Sequence, residues 1–121
     1  MHMRRSLLTF LCCLTLAIPV LSDYYVWSDD TENHEWDDYE NWDCNTCTGP
    51  GCYPHSSADD AAIAIAATID LATVTIDDLT ISASVTFSGT GSETVTMDSI
   101  VISAGGTAMV VQITNGTLQT N

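Results

Sequence analysis

Between Ala58 and Asn121 the apolar positions alternate with polar ones in short runs that repeatedly slip phase. Ile63, Ile65, Ile69 and Leu71 form one run, Val74 and Ile76 a second, Leu79 and Ile81 a third, and Val85 and Phe87 a fourth. Alternation at period two predicts short strands with one buried face, and each phase slip predicts a corner. The alanine-rich run from Ala61 to Ala67 has helical propensity, but its isoleucines sit two apart rather than three or four, so a strand is expected there.

A repeat carries this pattern further. Thr73 to Ala83 (TVTIDDLTISA) returns 21 residues later as Thr94 to Ala104 (TVTMDSIVISA), with seven of eleven pairs identical. Substitutions such as Ile76 for Met97 and Leu79 for Ile100 keep the inward side apolar, and the corner acid recurs as Asp77 and Asp98. A period of strand, polar corner, strand, turn and strand suits one coil of an all-β, parallel β-solenoid with coils of about 21 residues. Stacking would set Ile76 over Met97 over Leu118, and Ile81 over Ile102. The alternative is a small β-sandwich of meandering hairpins. Two copies and the start of a third make a short stack with an open strand edge. Because the third copy is cut at Asn121, further coils or a covering partner are expected.

The first residues read differently. Met1 to Arg5 is short and basic, and Leu7 to Leu21 is apolar apart from Thr9, Thr15 and Pro19. This is the layout of a secretory signal peptide over residues 1–22, with cleavage expected after Ser22. About 15 residues is shorter than the roughly 20 that span a bilayer. The exported chain is then divided near Ala58 into an acidic, Trp- and Cys-rich cap segment, residues 23–57, and the repeats, residues 58–121.

Charge narrows the range of functions. The only cations, Arg4 and Arg5, lie in the leader, so residues 23–121 carry 16 acids, no Lys or Arg and a formal charge of −16. Such a field repels phosphate backbones and anionic headgroups, which excludes nucleic-acid binding and direct membrane binding through a basic patch. Chemistry that needs a fixed side-chain cation lacks its residue. No nucleophile elbow, zinc-protease motif or phosphate-binding loop occurs, and the expectation is a protein that is not an enzyme.

The cap segment holds Trp27, Trp36, Asn41 with Trp42, Pro54, and Asp60 with Ala61 and Ile63, followed by the repeats. In this order the chain resembles the N-terminal part of bacterial secreted, autotransporter-like or sorted surface proteins. The resemblance implies an envelope or extracellular adhesin-type scaffold whose aromatic element caps the first coil. Tryptophan also suits a second reading, in which Trp27, Trp36 and Trp42 form a platform for glycan rings.

Eight acids fall within residues 29–43, and Asp29, Asp30, Glu32, Asp37 and Asp38 are candidate ligands for Ca²⁺, the alternative being a solvated acidic face. Cys44, Cys47, Cys52 and His55 have the spacing of a tetrahedral Zn²⁺ site. Export favours oxidation instead, with Cys52 bridged to Cys44 or Cys47 and one thiol left over. The sequence thus predicts a secreted or cell-surface structural, adhesin-type protein with a disulfide. A glycan-binding module, with or without calcium, is the alternative, and an extracellular glycan or a cell-surface protein is the expected partner.

Overall fold

The computed structural model describes residues 22–105 and 108–121. The predicted leader, Ser22 excepted, lies outside the described residues. The described residues are all-β, with eleven short strands and one turn of 3-10 helix among them at Tyr39–Asn41. The strands are β1 (Tyr24–Trp27), β2 (Trp42–Cys44), β3 (Asp60–Ile63), β4 (Ala67–Asp70), β5 (Val74–Thr75), β6 (Asp78–Ile81), β7 (Val85–Ser88), β8 (Thr94–Met97), β9 (Ser99–Ile102), β10 (Val111–Ile113) and β11 (Thr117–Thr120). They form three sheets ordered β2-β1-β3-β6-β9, β10-β7-β4 and β11-β8-β5. Every strand pairing among β3 to β11 is parallel, where meandering hairpins would pair antiparallel. Among the described residues the exception is β2, which runs antiparallel to β1.

From β3 onward each sheet takes every third strand, so consecutive strands lie in different sheets. The corners between them are polar and continue the backbone ladder: Asp77 N–H donates to the Asp59 carbonyl at 2.8 Å, and Asp98 N–H to the Asp77 carbonyl at 2.7 Å. A corner whose amides find partners in the layer beneath leaves no buried donor orphaned. The tight turn between β10 and β11 requires Gly116, which has φ +91°, and a Cβ there would lie 2.8 Å from the Leu71 Cδ1.

Across the sheets, inward side chains fall into columns. Ile63, Ile81 and Ile102 are in register, as are Ile69, Phe87 and Ile113, and Val74, Val95 and Leu118. The repeat spacing holds where the sequence shows it, with Val74 beside Val95 and Leu79 beside Ile100. Elsewhere it changes. Ala67 pairs with Val85 and Val85 with Val111, so turns of different length absorb the offset while the strands stay in register. Two expectations are corrected accordingly. Leu118 pairs with Val95 and not with Met97, whose partner is Thr120. Ile65 is 46% exposed, because the chain bends between β3 and β4 and turns that side chain outward.

The core is one cluster that runs from the aromatic segment into the repeats: Tyr25, Trp27, Trp36 and Trp42 pack with Ile63, Ile69, Ile76, Leu79, Ile81, Phe87 and Met97. Burial of each aliphatic or aromatic side chain contributes about 1.5–3 kcal/mol. β1 lies parallel to β3, with Tyr25 beside Ala61, so residues on both sides of Ala58 share one hydrogen-bonded sheet. The small Ala61 and Ala62 leave room for the larger rings of the strand next to them.

Candidate functional site

Asn41 organises the aromatic segment. It is fully buried, and its side chain is satisfied at both ends: Oδ1 accepts from the Thr31 hydroxyl at 2.7 Å and the Thr31 amide at 3.2 Å, while Nδ2 donates to Asn33 Oδ1 at 2.6 Å and the Glu35 carbonyl at 3.0 Å. A buried amide with all its partners fixes a loop that has no regular structure of its own. That loop is otherwise costly, since Asp29, Glu32 and His34 all adopt positive φ between 57° and 65°.

Asn41 also places Trp42. The Trp42 indole N–H donates to the Trp36 carbonyl at 2.7 Å, and the Trp36 indole N–H donates to the Pro54 carbonyl at 2.9 Å. Trp27 and Trp36 both meet Trp42 edge to face, with ring centroids 5.0 and 4.9 Å apart. The spaced residues Trp27, Trp36, Asn41, Trp42 and Pro54 therefore meet in one packed unit. Asp59 completes it from below, its Oδ2 accepting the amides of His55 at 3.0 Å and Ser56 at 2.9 Å.

This packing corrects the glycan platform. Trp36 is 0%, Trp27 1% and Trp42 5% exposed, so no indole face is free to stack on a sugar ring. The zinc set is corrected too. Cys47 and Cys52 form a disulfide, Cys44 is the free thiol among the described residues, and the His55 ring packs on Tyr53 with centroids 4.6 Å apart. Of the two pairings open from the sequence, the structure thus selects Cys47 with Cys52.

The five calcium candidates do not converge either. Asp29 Oδ2 pairs with His34 Nδ1 at 2.8 Å, and Asp38 accepts from the Glu40 amide at 3.0 Å and from Asn33 Nδ2 at 2.6 Å. Asp30, Glu32 and Asp37 are exposed and point to no common centre among the described residues. Acids close in sequence are spread over a curved loop, and several already serve as loop caps.

The acids that do converge come from different layers. Asp60, Asp77 and Asp78 bring one carboxylate oxygen each within 4.8 Å of the others. They lie along the corner that Asp98 continues. The Asp77 carboxyl is raised above its ordinary value, first by desolvation and then by the charges of Asp78, Asp60 and Asp98. Ser99 Oγ donates to Asp78 Oδ1 at 2.5 Å, and Ser22 Oγ to Asp60 Oδ2 at 3.3 Å. Three oxygens at this separation suit a hard cation. The recurring Asp77 and Asp98 were the visible signal, but only parallel pairing brings Asp60 to them.

A cleft of about 440 Å³ opens beside the aromatic unit, lined by Asp30, Tyr39, Glu40, Asp43, Cys44 and the Cys47–Cys52 bridge. Its walls carry acids and no cation. The Tyr25 phenol is pushed above its ordinary value, by burial first and then by the Asp59 carboxylate. Among the described residues no helix is long and apolar enough to cross a membrane. No protein-family model, curated protein or solved structure matches the chain.

Proposed function

We propose that the chain is an exported, non-enzymatic structural protein of the cell surface or extracellular space, built as a short parallel β-solenoid and sealed at its N-terminal end by the Asn41-centred Trp unit. The observation that carries this reading is the register: three successive strand sets each give one strand to each of three parallel sheets, with inward residues aligned from layer to layer. Such a stack gains stability from nearest-neighbour layers and offers long polar faces without a deep central pocket. The leader pattern, the disulfide and the charge of −16 in residues 23–121 support export and repulsion from anionic surfaces.

Export is tested by expressing the full chain in a secretion-competent bacterium, fractionating the culture and sequencing the N-terminus of the product. The expected product lies outside the cytoplasm, begins at Asp23 and carries one free thiol. An intact chain beginning at Met1 and held in the cytoplasm overturns the reading. A glycan array on the same product separates a bare scaffold from a glycan-binding module, and dose-dependent binding favours the module.

A further inference from the structure

We infer that the free edge of β2 is a docking site for an extended peptide with Lys or Arg at alternate positions, which joins the sheet as a further strand. The inference gives the proposed scaffold a partner and does not rest on where the protein resides.

The backbone supplies the first argument. β2 ends the five-stranded sheet, with β1 as its one strand neighbour among the described residues. The Ser28 amide donates to the Asn41 carbonyl at 2.8 Å. By the alternation of an antiparallel ladder, Asp43 then turns its N–H and C=O toward β1, while Trp42 and Cys44 turn theirs away. The Trp42 N–H is taken by the Tyr39 carbonyl. The Trp42 carbonyl and both backbone groups of Cys44 are left along the edge, facing no other strand among the described residues. All of β2 lines the cleft of about 440 Å³, a size that accepts a ligand. The segment before β2 and the disulfide loop after it line the same cleft, so the chain borders this edge without pairing with it.

Charge selects the occupant. Asp30, Glu40 and Asp43 are exposed around the cleft, and residues 23–121 contain no Lys or Arg to neutralise them. A bare cation answers the carboxylates but not the strand edge, and an acidic peptide answers the edge but is repelled by the carboxylates. A cationic strand satisfies both. Side chains of an added strand alternate between faces, so cations two residues apart fall together on the face that Asp43 presents. Main-chain bonds then give affinity and the alternate side chains give specificity. Because β2 has three residues, the contact is small and the complex exchanges readily.

Titration calorimetry of the full chain with the end-blocked peptide Lys-Val-Lys-Val-Lys tests this. The expected result is saturable one-to-one binding that weakens with added salt. Binding should be lost when glutamates replace the lysines, and also when alternate peptide nitrogens are methylated in either register, which removes donors but keeps the charge. Asp43→Asn and Glu40→Gln should each weaken binding about two- to five-fold, whereas Asp98→Asn, the same loss of charge at the corner before β9, leaves it unchanged. Tryptophan fluorescence of the buried aromatic unit reports whether each variant is folded. Should a variant unfold, amide exchange on the parent chain decides, with the Cys44 amide expected to slow when the peptide is present and the β7 amides to remain unchanged. No saturable binding, equal binding of the methylated peptides, equal weakening by Asp43→Asn and Asp98→Asn, or a Cys44 amide that the peptide leaves unprotected overturns the inference.

Discussion

The first and last of the described strand sets differ in how their inward side chains are covered. At the first layer an irregular segment supplies β1, β2, three indoles and a saturated Asn41, and all three indoles are buried. At the last layer Ile102 and Ile113 occupy equivalent inward positions and remain about half exposed. The contrast shows that an aligned column does not by itself keep water out. Each layer protects its neighbour.

Removing the cover tests this most severely. Trp36→Ala deletes a ring with no exposed surface and the hydrogen bond to the Pro54 carbonyl, and about 3–5 kcal/mol of stability should be lost in urea denaturation. A loss below 1 kcal/mol would mean that the aromatic unit is not what shields the core beside it.

A paired substitution then compares the layers directly. Ile81→Ala should cost about 2–5 kcal/mol, whereas Ile102→Ala, one layer on in the same column, should cost less than about 1 kcal/mol in dilute protein. Equal costs would break the comparison between middle and end.

The disulfide closes a short loop, Cys52 lying five positions after Cys47. Replacing both with Ser should lower stability by about 2 kcal/mol through the freed unfolded chain. Amide exchange should place the loosening beside the cleft and leave β6 to β8 unaffected.

The smallest effects are electrostatic. The folded Asp77 carboxyl holds its proton more tightly than the unfolded one, so its ionisation costs stability as pH rises above 3.8. Asp77→Asn should therefore raise the melting temperature at neutral pH, with the difference vanishing on acidification below 3.8. Glu93 has the opposite sign. Hydrogen bonds, first from the Thr90 hydroxyl and also from the Thr90 and Gly91 amides, lower it from 4.5 to about 2, so its contribution is present above 4.5 and fades as pH falls toward 2. Glu93→Gln should lower the melting temperature at neutral pH and have little effect near pH 2.

Much of the strand layout was legible, because inward residues obey a local period and the 73–83 repeat keeps its turn lengths. The offsets between the other strands were not, since a turn can lengthen without leaving a mark on the alternation of the strands beside it. Ile65 shows the same limit at one residue, where a bend broke an apparently regular run. The cysteines narrowed to two pairings, and the chain path around Gly49 and Gly51 chose between them. The acids misled most: five neighbours in sequence diverge, while Asp60 and Asp77 meet across a layer.

The sequence alone determined an all-β chain of short strands, an acidic body with no compensating cation, and an aromatic segment distinct from the repeats. These follow from composition and nearest-neighbour pattern, which each residue carries with it. Only the tertiary structure decided which strands pair, that the indoles face inward, and where carboxylates gather. Those depend on which distant residues the hydrogen-bonded layers bring side by side, and that choice belongs to the whole stack rather than to any segment of it.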